Sequence, residues 1–400
     1  MTTNCRLCDS TDLSGIIDLG YHPLADTFLP EASLQASEAR YPLRVLLCAA
    51  CGYAMSGYVV SPEERYQKND YSYDSSNSPV AEAHFKELAG KIASHARFRS
   101  GELAIDIGSN VGTLLGYLKA HGANVRGVEP SKNIAALAAK NGIETINDFF
   151  NAATAAKIKG SGMPVKSISA TNVFNHLENV HEALEQMSGL LADDGIIAIE
   201  VPYLVTLIEK TAFDTIYLEH VSYFSLEPHL SVFENYGLYP YALETNEYMG
   251  GSILVILGKD KAKMDAGAIR EFLEKEKACG TRDPKTYASF MARIRQLKHE
   301  LILQIAQLKQ EGKKIAGIGA ATKGNTLLNY CALDTDSIEY ILETSPLKIG
   351  KYTPGSHLPI IAESDIGSDI SHVLILPWNI GEHLKSKLSH LNVEFIIPHT

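Results

Sequence analysis

The chain is poor in positive charge, has a single tryptophan and carries no long apolar run. Lys and Arg total 36 against 47 Asp and Glu, a formal charge of −11, which excludes the basic field a nucleic-acid surface requires. It says nothing against one bound nucleotide. No apolar run approaches the roughly 20 residues of a membrane-spanning helix. The opening MTTNCRLCDS lacks the basic-then-apolar pattern of a secretory signal. A cytoplasmic protein with no nucleic-acid or membrane partner is expected, and a monomer. Also missing are the G-x-G-x-x-G turn of a dinucleotide site and the G-K-[ST] order of a Walker A loop. What remains, 45% hydrophobic and 21% charged residues over 400 positions, is ordinary for a globular chain of two or three domains.

Cysteine is scarce but unevenly placed. Four of the six lie in the first 51 residues, as Cys5-x2-Cys8 and Cys48-x2-Cys51 followed by Gly52. Two such knuckles present four thiolates tetrahedrally to Zn²⁺. Four cysteine ligands leave no open coordination position, so the expected metal is structural and folds a small module. The intervening stretch is longer than in a compact zinc ribbon, which predicts a large loop between the knuckles.

The strongest signal is ELAIDIGSNVGTLLGYLKAHGANVRGVEPS, residues 102–131. It reads as a buried strand (103–107), a glycine turn (108–112), a helix from 113 to about 121 and a second strand (124–128) ending on Glu129. Such a β-α-β unit binds an adenosine-type ligand over its strand ends. Glu129 can accept both ribose hydroxyls. Gly108 and Gly112 let backbone approach the ligand. Asp106, at the strand end, would repel a diphosphate but could meet the ammonium of a methionine moiety, so the turn favours S-adenosylmethionine over NAD. Asp148 falls where an adenine-edge contact is expected, and Asn172 opens the polar stretch to His176 after a strand at 165–173.

Strands alternating with helices through 201 predict a mostly parallel, doubly wound α/β sheet. Between 53 and 78 the composition turns to Tyr, Ser, Asn and Asp, with Tyr66, Tyr71 and Tyr73 placed to close over a ligand. The cluster Tyr217-Leu218-Glu219-His220 can supply a base, its orienter and a phenolic donor; histidine is the side chain whose free pKa, about 6.5, lies nearest working pH. Residues 261–310 read as helical and charged. A second nucleotide-type turn, GIGAATKGN at 317–325, follows a strand and opens a helix; with Lys323 it suits a phosphate or diphosphate. Glu343 and the loop around Tyr352 lie after the next strand.

The layout resembles the zinc-containing, S-adenosylmethionine-dependent C-methyltransferases of deoxysugar biosynthesis, which methylate C-3 of a nucleotide-linked 4-keto sugar. The resemblance runs essentially end to end. It is carried by Cys5/Cys8/Cys48/Cys51, DYSYDSSNS, DIGSNVGTLL with GVEPS, 172–176, YLEHVSYFS, GIGAATKGNTLLNY, KIGKYTPGSHLPI and LILPWN. It implies a zinc-binding module (1–70), a Rossmann-like methyltransferase domain (71–245) and a second Rossmann-like domain holding the nucleotide sugar (246–400). It places Asp106, Gly108, Gly112 and Glu129 on the cofactor, with Asp148 and Asn172 beside them. Tyr71, His176, Tyr217, Glu219 and His220 would line the sugar pocket, with His220 as base oriented by Glu219. Lys323, Gly324, Asn325 and Tyr352 would meet the substrate's nucleotide, a dTDP-linked sugar being the expected partner. Leu218 stands where members often have histidine, a departure expected to alter pocket shape, and many carry arginine at Lys323. The alternative activity is O- or N-methylation of a nucleotide sugar or other small molecule.

Overall fold

The structure is a computed structural model that describes residues 2–398. Three sheets organise it. The first is antiparallel: β1 (Leu13–His22), β2 (Tyr41–Cys48) and β3 (Ala54–Ser56), closed by β9 (Ser222–Tyr223) from far along the chain, in the order β1-β2-β3-β9. The segment after the second cysteine pair is thereby stitched to the segment after His220.

The central sheet has seven strands in the order β10-β11-β8-β7-β4-β5-β6. Its parallel members are β4 (Leu103–Ile107), β5 (Asn124–Val128), β6 (Thr145–Ile146), β7 (Val165–Thr171) and β8 (Leu191–Pro202). All five residues of β4 are buried, as a parallel strand covered on both faces requires. The order reverses between β4 and β7, and at such a switch point ligands gather beyond the strand ends. An antiparallel edge, β10 (Tyr239–Asn246) and β11 (Ser252–Gly258), completes the sheet. β11 lies past the division expected at 245/246, yet it pairs along β8 from Ser252↔Pro202 to Gly258↔Ile196. It is buried throughout, which explains why it stays with this sheet.

The third sheet is parallel: β12 (Ile315–Ile318), β13 (Ile341–Glu343), β14 (Ile360–Ala362), β15 (His372–Ile375) and β16 (Glu394–Ile396), ordered β14-β13-β12-β15-β16. The helical stretch leading to it is two helices. Ala266–Cys279 is capped by Asp265 and ends on Gly280 at φ +77°; Pro284–Gln310 starts again under Asp283, whose side chain accepts the Lys285 N–H. A left-handed glycine and a fresh acidic cap with proline in the first turn are sufficient to break one helix into two.

The sheets share cores. Cys5, Leu7, Tyr53 and Met55 pack in one apolar cluster with Ile105, Ile168, Ile199 and Val255 of the central sheet. Ile17 and Leu19 of β1 pack with Phe290, Ile294, Ile315 and Leu328 in another. Among the described residues no helix is long and apolar enough to cross a membrane.

Candidate active site and metal centre

A single cavity of about 950 Å³ runs from the switch point of the central sheet to the strand ends of the third sheet. On the central side its wall includes Asp106, Gly108, Asn110, Glu129, Phe149, Phe150 and Asn172. Gly108 sits at φ +64°, and a Cβ there would come within 2.4 Å of Val173; Gly112, at φ +85°, would bring one within 2.6 Å of Ile143. The turn can therefore be built only with glycine at both points. Asp106 is buried and accepts the Ser169 hydroxyl at 2.6 Å. Burial, reinforced by Glu129, raises its pKa to about 7. A cationic ligand group would restore the carboxylate.

Glu129 is held at the end of β5 by backbone. Its Oε2 accepts the Asn110 N–H (3.0 Å) and its Oε1 the Ser131 N–H (2.8 Å). Each oxygen keeps a lone pair for a ligand hydroxyl. Asn110, itself at φ +51°, staples the tyrosine-rich loop to this turn: its Nδ2 donates to the Tyr73 carbonyl and its Oδ1 accepts the Ser75 N–H, both at 2.9 Å. Asn172, at φ +54°, presents a buried Oδ1 with no protein partner, as a ligand-reading amide would. Asp148 stands apart. Its carboxylate accepts the Phe149 N–H at 2.9 Å and faces Lys157 at 3.7 Å, while Phe149 and Phe150 form the wall.

The opposite wall carries Tyr66, Tyr71, His176, Tyr217, Glu219, Asp26, Thr322 and Lys323. A turn closed by the His220 N–H on the Tyr217 carbonyl (3.0 Å) brings the Tyr217 and His220 rings to 3.9 Å and throws Glu219 elsewhere. His220 stands behind the wall, its ring 4.8 Å from that of His176. Its Nδ1 lies 2.7 Å from the Thr215 carbonyl. A carbonyl only accepts, so Nδ1 carries the proton and Nε2 the lone pair. Burial pushes the His220 pKa down to about 3, and the ring is neutral.

The expected orienting contact from Glu219 to His220 is replaced by the Thr215 carbonyl. Glu219 Oε1 instead accepts the Asp26 N–H at 2.9 Å, and Oε2 is buried without a protein partner. Burial raises this carboxyl to about 7. Leu218 does not reach the pocket; it is fully buried in the apolar cluster with Phe213 and Ile216. Tyr71 is held through its backbone by both amide atoms of Asn133, at 3.2 and 2.8 Å.

Of the four residues assigned from sequence to the substrate's nucleotide, Lys323 is in the wall, its Nζ donating to the Met249 carbonyl (3.2 Å) and Asn379 (2.9 Å). Gly324 packs against Leu376. Asn325 is buried and donates to the Ala25 carbonyl at 2.6 Å, while Tyr352 exchanges backbone hydrogen bonds with Leu29. Asn325 and Tyr352 tie the third-sheet region to the N-terminal region. The sequence reading missed Asp26, a buried carboxylate whose Oδ1 accepts the hydroxyls of Ser72 (2.9 Å) and Thr322 (2.8 Å). Its signal was a lone acid within the apolar run PLADTFLP. Arg65 was also missed; it is buried and donates to the carbonyls of His176 (3.4 Å) and Glu219 (3.1 Å).

The four thiols of Cys5, Cys8, Cys48 and Cys51 lie within 4.8 Å of one another. The Cys5–Cys51 and Cys8–Cys48 sulfurs are each 3.6 Å apart. Zn–S bonds of about 2.3 Å in a tetrahedron require sulfur edges of about 3.8 Å, so the donor set fits zinc. The knuckles are built alike: Asp9 (φ +59°) and Gly52 (φ +83°) each donate a backbone N–H to the carbonyl of the first cysteine of their pair, at 2.9 and 2.8 Å.

Comparisons with known proteins place the chain among methyltransferases. Residues 5–66 match the model of a proposed zinc binding domain, 80–243 that of a methyltransferase domain and 247–398 that of a C-methyltransferase C-terminal domain. The chain is 33% identical to C-methyltransferase NovU of Streptomyces niveus over 98% of its own length and 94% of that protein. Solved structures similar to part of the chain include the magnesium protoporphyrin IX methyltransferase of Synechocystis PCC 6803 (TM-score 0.34, 12% identity, 45% of this chain and 79% of that one) and DesVI of Streptomyces venezuelae (0.33, 12%, 44% and 90%). The chain belongs to the zinc-containing, S-adenosylmethionine-dependent C-methyltransferases. The carbon acceptor is thus the one the resemblance implied, not the oxygen or nitrogen of the alternative.

Proposed function

We propose that the protein methylates C-3 of a nucleotide-linked 4-keto-6-deoxy sugar, a dTDP sugar, through an enolate. The observation that carries this reading is the neutral His220, with Nδ1–H spent on the Thr215 carbonyl and Nε2 left as acceptor, next to two wall residues, Tyr217 and His176, whose polar atoms suit a sugar. The motifs resembling deoxysugar C-methyltransferases support the acceptor. So do the lysines in the far wall, Lys323, Lys348 and Lys387, which suit a diphosphate.

An unactivated carbon does not accept a methyl group, so C-3 must first become nucleophilic. A ketone at C-4 acidifies the C-3 hydrogen. His220 Nε2 takes that proton, and the C–H electron pair moves onto O-4 as an enolate; general-base catalysis of this kind contributes about 10²–10⁴-fold. Tyr217, Tyr71 and His176 would donate to the O-4 oxyanion, each worth roughly 10²–10³-fold. Bound S-adenosylmethionine supplies the methyl group as an electrophile on a sulfonium. Asp106 would hold its ammonium and Glu129 its ribose, with the Asn172 amide beside them; Asp148 would act from the rim. C-3 then attacks the methyl carbon, the C–S pair returns to sulfur, the C-4 ketone re-forms and His220 returns its proton to solvent. Lys323 would meet the diphosphate, with Gly324, Asn325 and Tyr352 shaping that end from behind. On this reading the chain divides functionally at about residues 70 and 245.

One observation favours a second reading of the base. Glu219 Oε2 is in the wall without a partner and its carboxyl is raised to about 7, whereas His220 is behind the wall and pushed down to about 3. Exchange of the C-3 hydrogen in D₂O separates the two. Under the first reading His220→Asn loses exchange by at least about 10²-fold while Glu219→Gln retains it. The converse pattern moves the base to Glu219.

A further inference from the structure

The histidine pair contains an asymmetry that the base assignment does not use. His220 has its tautomer set by a carbonyl. His176, 4.8 Å away ring to ring, has its Nδ1 against a hydroxyl, that of Tyr66, at 2.5 Å. We propose that Tyr66 is a positioning residue: its hydroxyl donates to His176 Nδ1, which places the imidazole proton on Nε2 and makes His176 a neutral N–H donor to the substrate oxygen, opposite in tautomer to His220.

The direction of that hydrogen bond follows from the two groups. A phenol is the stronger donor and a neutral imidazole nitrogen the stronger acceptor. Burial holds the Tyr66 phenol above its ordinary range and the His176 ring well below its own, so both are neutral and one proton lies between them. With Nδ1 accepting, the second ring nitrogen must carry hydrogen. His176 lines the cavity, so Nε2–H is its remaining polar group there.

Tyr66 is well built for this task. It ends the short helix Pro62–Tyr66, whose cap Ser61 accepts the Glu64 N–H. Its neighbour Arg65 reaches the carbonyls of both His176 and Glu219, and its ring meets Tyr71 edge-on at 5.5 Å. One helical turn therefore fixes the backbone of both wall residues and the tautomer of one. The role as oxyanion donor rests on the enolate chemistry proposed above; the tautomer does not.

The test uses the full-length protein with ¹⁵N-labelled histidine, His176 being assigned by its loss in His176→Asn. The expected spectrum shows a pyridine-type Nδ1 and a pyrrole-type Nε2 for His176, and the reverse protonation for His220. In Tyr66→Phe, which keeps the ring, the His176 Nδ1 signal should move while the His220 signals stay. In the same variant kcat for methyl transfer should fall about tenfold, the fold-change of one lost neutral hydrogen bond, with sugar KM and S-adenosylmethionine affinity near wild type. A wild-type His176 protonated at Nδ1 overturns the proposal, as does a Tyr66→Phe protein with unmoved His176 signals and full kcat. If no keto sugar is methylated by the wild type, the proposed function fails, and the wild-type spectrum still decides the tautomer.

Discussion

Zinc removal should disable the acceptor site without touching it. The four thiolates fix the end of β2 and the turn into β3, and β3 carries β9. The join is specific: the Ser56 N–H donates to the Val221 carbonyl at 3.0 Å, and the Arg6 guanidinium, one residue from Cys5, donates to the carbonyls of Val221 and Ser56. Val221 directly follows His220. The two that reach Val221, at about 1–1.5 kcal/mol each, make roughly 2–3 kcal/mol of docking, a factor of about 30–150 in the population of correctly placed loop. The metal supplies far more, about 10–16 kcal/mol in small zinc modules, comparable with a whole domain's stability. Cys48→Ser, or exhaustive chelation, is therefore expected to lower methyl transfer by at least about 30-fold. Hydrogen exchange at residues 221–223 should accelerate by a similar factor in protein shown by metal analysis to lack zinc. A zinc-free protein with protected amides there and an undiminished rate would refute the coupling.

Two further outcomes concern the cofactor side. Asp106, raised to about 7 by burial, must ionise to meet an ammonium, so protons compete with S-adenosylmethionine. Affinity should weaken as pH falls below about 7, up to tenfold per unit, and binding at about pH 6 should release a proton; titration calorimetry in two buffers reads this, and a flat dissociation constant across that range would exclude the contact. Gly108→Ala places a methyl 2.4 Å from Val173 at φ +64°, a strain of about 1–3 kcal/mol before any repacking. A lower Tm and at least tenfold weaker S-adenosylmethionine binding are expected, and unchanged binding would show that the turn opens without cost.

What the sequence made legible was local. The β4 turn with its glycines and Glu129, and the two cysteine knuckles, are encoded within a few residues of one another and appear where their spacing placed them. Pairings across long separations carried no such signal. β9 is two residues long and finds β3 some 170 positions earlier, and Asp26 meets Thr322 across 296. Adjacency also misled. Glu219 and His220 are neighbours in the chain, but the β-turn that ends at His220 presents them in different directions, so the imidazole is oriented by Thr215. Leu218, on the same turn, faces the core, so its departure from histidine leaves the pocket wall to its neighbours Tyr217 and Glu219. At the helix after the second glycine turn, Asp26 accepts the Thr322 hydroxyl in the first turn, a contact the motif alone could not reveal.

The most direct test of carbon methylation through an enolate is incubation of the wild-type protein in D₂O with S-adenosylmethionine and a dTDP-linked 4-keto-6-deoxy sugar, with and without the 2-hydroxyl, followed by NMR and mass spectrometry. A new methyl on C-3 is predicted. When S-adenosylhomocysteine replaces the methyl donor, deuterium at C-3 is predicted instead. A methyl on oxygen or nitrogen, or C-3 methylation with no C-3 exchange under any condition, would contradict the account.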